Sequence, residues 1–196
     1  LKKETPKRMV VVAPTGVAAI NAGGMTIHSF FQLPFGPFVP GVKQDPTRQR
    51  HFNGEKIRLL QSLDLLVIDE VSMVRADLLD AIDDVLRRYR DRHKPFGGVQ
   101  LLMIGDLHQL PPIVKDEEWN LLRDHYQTMY FFGSQALRDT NPVSIELKHI
   151  YRQSDTTFID LLNKVRDNKI DEEVLATLNS RYIARFQPTA EEPYIT

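Results

Sequence analysis

Two apolar runs that stop abruptly in polar groups constrain this chain most: Leu65-Leu66-Val67-Ile68 ends in Asp69-Glu70, and Leu101-Leu102-Met103-Ile104 ends in Gly105-Asp106-Leu107-His108-Gln109-Leu110-Pro111-Pro112. Continuous apolarity marks a strand buried on both faces, and such strands belong to parallel sheets whose carboxyl ends open onto ligand sites. An Asp at a strand tip can hold Mg²⁺, directly or through water. An adjacent Glu can take a proton from a water attacking a γ-phosphate. Asp69 and Glu70 are the candidates for those two roles, which points to a nucleotide site. An Asp-Glu pair alone is more often a solvated turn, and the second strand tip is what tips the balance. Gln109, followed by the stiff Leu110-Pro111-Pro112, is an amide that can both donate to and accept from a phosphate or its attacking water. Nowhere in the sequence is there a G-x-x-x-x-G-K-[ST] loop to cradle the phosphates.

The rest of the chain alternates strand and helix. Met9–Ala13 is a β-branched strand stopped by Pro14; Thr15-Gly16 turns into a helical stretch, Val17–Ala22, closed by Gly23-Gly24. Residues 33–54 hold the Pro- and Gly-rich insertion Leu33-Pro34-Phe35-Gly36-Pro37-Phe38-Val39-Pro40-Gly41, expected to be a long loop, and Glu55–Ser62 is read as a short helix. Leu78, Ile82, Val85 and Tyr89 repeat at helical spacing, with Asp83/Arg87 and Asp84/Arg88 as i,i+4 pairs expected on the outer face. Pro95-Phe96-Gly97-Gly98 breaks that helix before a strand over Val99–Ile104. A helix over Glu117–Tyr126, a strand over Met129–Phe132, a brief helix capped by Ser134 and a last strand over Val143–Leu147 follow. Residues 154–196 are read as a helical segment, with the stripe Phe158, Leu161, Leu162, Val165 and a second helix opened by Asp171-Glu172-Glu173. The expectation is an α/β fold, a mostly parallel sheet with helices on both faces.

Composition narrows the class. Twenty-five basic and 26 acidic side chains leave a formal charge of -1, so any nucleic-acid surface is local. There is no Cys, which excludes disulfides and thiolate metal sites, and the six His show no metal-ligand spacing. No apolar run reaches the roughly 20 residues that span a bilayer, so no membrane partner is expected and the chain reads as cytoplasmic. Thr15, Thr26, His28, Phe30 and Phe31 set hydroxyl, imidazole and aromatic groups around a Gly-rich turn, a mixture able to hold a strand's phosphates and stack its bases. For the phenylalanines a place in the core is the commoner outcome. Arg152, in Tyr151-Arg152-Gln153, is a permanent charge that forks onto phosphate oxygens, although a lone Arg is usually a surface residue.

Taken in order, Ala13-Pro14-Thr15-Gly16-Val17-Ala18-Ala19, Thr26-Ile27-His28-Ser29-Phe30-Phe31, Asp69-Glu70-Val71-Ser72-Met73-Val74, Pro95-Phe96-Gly97-Gly98-Val99-Gln100-Leu101, Gly105–Pro112 and Tyr151-Arg152-Gln153 resemble the Pif (petite integration frequency) helicases, relatives of RecD in superfamily one. The resemblance spans nearly the whole chain, and the ordered set is far more specific than any member. It implies a RecA-like P-loop NTPase fold, here a partial first motor domain over residues 1–196 that lacks the Walker A strand and loop, with residues 154–196 leading toward a second motor domain. It implies an ATP-driven motor moving 5′ to 3′ on single-stranded DNA and unwinding duplex junctions, in DNA repair, recombination or genome maintenance, cytoplasmic in bacteria and nuclear or mitochondrial in eukaryotes. ATP would be the substrate and Mg the cofactor. Asp69 would help hold the metal, Glu70 activate water, Gln109 sense the γ-phosphate and Arg152 contact it, while Thr15, Thr26, His28 and Phe31 would line the single-strand track. In the family's sheet the Walker A strand lies beside the strand that leads to Gln109. Its loss would leave unpaired edges, open to pairing with a second copy, and a piece that binds ATP poorly and is inactive alone. The competing reading is a non-catalytic DNA-binding or protein-interaction module on a degenerate scaffold of the same kind.

Overall fold

The computed structural model describes residues 6–42, 52–151 and 153–184. They fall into two compact units, residues 1–144 and 145–196. In the first unit the order is β1 (Met9–Ala13), α1 (Gly16–Asn21), β2 (Met25–Thr26), α2 (Ile27–Phe31), α3 (Gly54–Ser62), β3 (Leu65–Ile68), α4 (Ala76–Tyr89), β4 (Gln100–Met103), α5 (Asp116–Leu122) and α6 (Gln135–Arg138). The sheet runs β2-β1-β3-β4 with every pair parallel. The α/β expectation and the three longer strands stand.

The central strand β3 is buried along its whole length, as its unbroken apolar run requires. Val12, Leu66 and Ile68 join a core with Ile27, Phe30 and Phe31 of α2 and Leu79, Ile82, Val85 and Leu86 of α4. Gly24 allows β1 and β2 to meet, because a Cβ there would stand 2.3 Å from the Val11 carbonyl oxygen. The strand β4 differs from β3: Leu101 and Met103 pack against the core, while Gln100 and Leu102 are exposed. Among the described residues it has a neighbour on one side only.

Three local readings give way to tertiary structure. Asp83 does not lie on the outer face; it is buried, bonded to Arg87 at 2.7 Å and to the Phe96 N–H, and so ties α4 to the Pro95–Gly98 turn, while Asp84/Arg88 is exposed as expected. Met129–Phe132 forms no strand but a single antiparallel bridge, Arg75 to Tyr130, followed by a 3-10 turn over Phe131–Gly133. Val143–Leu147 is not a strand either: Val143, Ile145 and Leu147 are 87%, 79% and 87% exposed, because β-propensity has no effect without a neighbouring ladder to join. Within 33–54, the described residues 33–42 contain no helix or strand, and residues 43–51 lie outside the described set.

The second unit contains α7 (Thr156–Arg166), capped by Asp155, and α8 (Glu172–Asn179), capped by Asp171 as its acidic start predicts. Lys164 bonds Asp171 at 2.9 Å across the intervening turn. Among the described residues no helix is long and apolar enough to cross a membrane.

Candidate functional site

The carboxyl ends of β1, β3 and β4 lie side by side, with Val12 opposite Ile68 and Ile68 opposite Met103. Asp69 is the first residue past the central strand; its N–H donates to the Val12 carbonyl at 2.9 Å, and its carboxylate accepts the Glu70 N–H at 3.0 Å. Both acids are half-buried. Glu70 sits at φ 52°, ψ 44°, a left-handed conformation that costs a non-glycine residue about 1–2 kcal/mol. The turn that imposes it is fixed on both flanks: the Val71 N–H donates to the Ile104 carbonyl at 2.9 Å, and the Met73 N–H donates to Glu70's own carbonyl at 3.1 Å. Strain of this kind gathers where a side chain has to be aimed. Gly105 lets the tip of β4 approach this turn closely: a Cβ there would press to 3.0 Å on the Val71 and Ser72 nitrogens. The Ser72 hydroxyl is buried in that junction with no hydrogen-bond partner among the described residues.

Gln109 follows β4 on an exposed turn organised by Asp106. The Asp106 carboxylate accepts the His108 N–H at 3.0 Å and the Gln109 side-chain amide at 3.3 Å. Asp69, Glu70 and Gln109 are therefore all placed beyond the carboxyl ends of two adjacent strands, as their sequence positions predict. Arg152 lies outside the described residues.

On the β2 side, Thr15 and Thr26 are both helix N-caps: Thr15 Oγ1 accepts the Ala18 N–H, and Thr26 Oγ1 accepts the Ser29 N–H, each at 3.2 Å. Both are half-buried, and a capping hydroxyl keeps its own proton to donate outward. His28 stacks on Phe35 with ring centroids 5.2 Å apart. Burial holds its imidazole below the usual histidine range, Arg75 adds to the effect and Asp77 opposes it, so the ring is neutral at pH 7. Phe31 must be removed from the strand-binding set. It is 1% exposed and packs edge-on against Phe30 in the core, leaving no face for a base.

Sequence reasoning missed how the Phe35 loop is held. Arg75 bonds Asp77 at 2.6 Å and Glu118 at 3.0 Å, and its guanidinium also reaches the Gly36 carbonyl at 3.4 Å, while Asp77 accepts the Phe38 N–H at 2.9 Å. The partners stand up to 43 residues apart, so no local spacing announces them. An exposed Phe inside a Pro- and Gly-rich stretch was the one available signal.

Residues 1–175 match the PIF1-like helicase family. The chain belongs to that family. PIF1-like relatives include the ATP-dependent DNA helicases PIF1 of Saccharomyces cerevisiae, 38% identical over 168 residues covering 85% of this chain and 18% of the relative, and of Homo sapiens, 37% identical over 180 residues covering 89% and 25%. The chain thus spans about a fifth to a quarter of the length of these curated relatives. The crystal structure of Pif1 helicase from Bacteroides in complex with ADP-AlF3 and ssDNA superposes with a TM-score of 0.90 at 40% identity, covering 98% of this chain and 44% of that one. The PIF1-like fold is RecA-like, in agreement with the sheet described above.

Proposed function

We propose that this chain carries part of the ATP site and part of the single-strand track of an ATP-dependent DNA helicase that moves 5′ to 3′ and acts on single strands and duplex junctions. The observation that carries the reading is Glu70, held in a left-handed conformation beside Asp69 where β3 and β4 end together. A carboxylate aimed at a fixed point, on a scaffold buried behind it, is what proton removal from an attacking water needs. Water adds to the γ-phosphorus as Glu70 accepts its proton, and the bond to the β-phosphate oxygen breaks. Gln109 orients that water or reads the γ-phosphate, and Arg152 offsets the charge that develops on it. Thr15, Thr26 and the neutral His28 ring hold the DNA strand.

Mg fits the donor set. Among the described residues no group of three or more acids or imidazoles is arranged to hold a metal alone, and Mg²⁺ is commonly held by one or two carboxylates together with substrate phosphates. Asp69 is the residue that would hold it, and when bound the ion supplies charge neutralisation on the phosphates. Relatives in the family are named ATP-dependent DNA helicases, and one structural neighbour is bound to a nucleotide analogue and single-stranded DNA; both support the reading.

The test is Glu70→Gln in the intact protein, with single-stranded DNA present. Turnover is expected to fall at least about 100-fold, the usual scale for losing a general base, with ATP affinity within a few-fold. Normal hydrolysis in the variant would remove Glu70 from the mechanism. An intact protein that binds single strands and hydrolyses no ATP would return the non-catalytic module.

A further inference from the structure

A second candidate site lies in the first unit and shares no residue with the strand-tip acids or the His28 side. A cavity of about 410 Å³ opens between the end of α5 and the end of α6, lined among others by Arg123, His125, Thr128, Phe132 and Arg138. That volume lies within the ~300–1,000 Å³ range of small-molecule pockets.

We propose that this cavity binds a nucleoside phosphate, its phosphate held between Arg123 and Arg138 and its ring laid on Phe132. Neither guanidinium has a hydrogen-bond or ion-pair partner among the described residues. Elsewhere in the unit Arg75, Arg87 and Arg90 are tied to carboxylates or carbonyls. Two unspent forked cations facing one cavity match the oxygens of a phosphate. Asp124 is the single acid in the lining, against the two arginines, so positive charge prevails there. Phe132 is 49% exposed and lies flat on Tyr130, ring centroids 5.4 Å apart and 5° from parallel, and meets Phe131 edge-on at 5.5 Å, so two neighbours brace the ring while half of its surface stays open to a ligand. Base on aromatic is a sequence-tolerant contact.

The cavity is built rather than incidental. Its two walls are pinned to one carboxylate on α4: Asp80 accepts the Tyr126 hydroxyl at 2.7 Å from the first wall, and the Ser134 hydroxyl and the N–H groups of Gln135 and Ala136, the last two at 3.0 Å, from the second. The Gln135 side chain donates across to the His125 carbonyl at 3.3 Å. Gly133 is pressed so close to Thr128 that a Cβ would stand 2.8 Å from its carbonyl oxygen. Walls fixed in this way lose little freedom when a ligand arrives.

The nucleoside phosphate has two sources, a free nucleotide or one unit of a nucleic-acid strand. The site stands on its own geometry, and only the choice of the strand as its source rests on the proposed function. Binding of dAMP and of a short 5′-phosphorylated oligothymidylate to this chain tests it, comparing the parent with Arg123→Ala/Arg138→Ala and with Phe132→Ala, all exposed positions, after circular dichroism has confirmed folding. The double variant is expected to lose about tenfold in affinity and to flatten the salt dependence by one to two phosphate contacts. Phe132→Ala should weaken both probes several-fold and leave competition by pyrophosphate unchanged. Tighter binding of the oligothymidylate than of dAMP by the parent, lost in the double variant, assigns a strand, and equal parent affinities for the two probes, lost together, assign a free nucleotide. Affinities within twofold of the parent in both variants, or no binding of either probe, overturn the site. If His28→Ala weakens the oligothymidylate and the arginine pair does not, the site falls while the helicase reading stands; normal hydrolysis by Glu70→Gln sinks that reading and leaves this site untouched.

Discussion

The two ends of the sheet carry candidate residues in opposite settings. At the β2 end, Thr15 and Thr26 cap helices, His28 is half-buried under Phe35, and the helix beneath them inserts Ile27, Phe30 and Phe31 into the core. At the β4 end, Gln109 stands on an exposed turn whose apolar neighbours Leu107, Leu110 and Ile113 are exposed too. The side proposed to bind the strand is thus preassembled by its own packing. The side proposed to sense phosphate is held, among the described residues, mainly by Asp106 and by one flank of β4. Glu70 sits between the two, placed by β3 but locked by a hydrogen bond to the β4 side.

The largest difference expected from this contrast is in stability. Phe31→Ala opens a cavity in the core and should cost about 3–5 kcal/mol, while Leu110→Ala, at a side chain 66% exposed, should stay within about 0.5 kcal/mol. Urea unfolding of the two variants measures both. Equal losses would mean that the β4 end is as tightly packed as the β2 end, and the contrast would fail. Should Phe31→Ala fold well and lose only DNA affinity, its assignment to the core would be wrong.

A smaller effect is expected at the junction. Glu70→Gly removes the steric cost of the left-handed backbone, and glycine's greater freedom in the unfolded chain offsets part of the gain, leaving a net stabilisation of about 0.5–1 kcal/mol. The same change removes the proposed base. Higher Tm with no turnover in the intact protein would show that the fold gives up stability to aim this carboxylate. A Tm unchanged or lowered would mean that the turn around Val71 tolerates Glu70 without strain.

Much of this arrangement was legible in sequence, and the limits have physical causes. The strands over Met9–Ala13 and Leu65–Ile68 announce themselves because burial inside a parallel sheet demands unbroken apolarity, the strand over Gln100–Met103 because its apolar run meets the core on one face, and helix α4 because one face repeats at helical spacing. The placing of Asp69, Glu70 and Gln109 past strand ends follows from those strands alone. Phe31 misled because an aromatic beside a Gly-rich turn reads the same whether it points inward or outward. Val143–Leu147 misled because a strand is a relation between two segments, and alternation along one reports only willingness to pair. The Asp80 and Arg75 networks join residues dozens of positions apart and leave no local trace.

The smallest effect concerns protons at the β2 end. Burial lowers the His28 pKa below its usual 6.5 in the folded chain, with Arg75 assisting and Asp77 opposing. Below about pH 6.5 the unfolded chain therefore binds the proton that the folded chain refuses, so stability rises with pH in that window. His28's contribution is whole above the unfolded value, declines as pH falls from about 6.5 toward the lowered folded value, and changes no further below it. His28→Gln keeps a planar polar group that cannot take up the proton. Between about pH 7.5 and 5, its Tm should fall slightly less than the parent's, other acid-sensitive groups being common to both. Parallel curves would mean that the imidazole titrates as freely as in the unfolded chain. The β2 end would then present a solvated ring instead of one held neutral under Phe35, and its claim to be the preassembled side would rest on the threonine caps and the core beneath them.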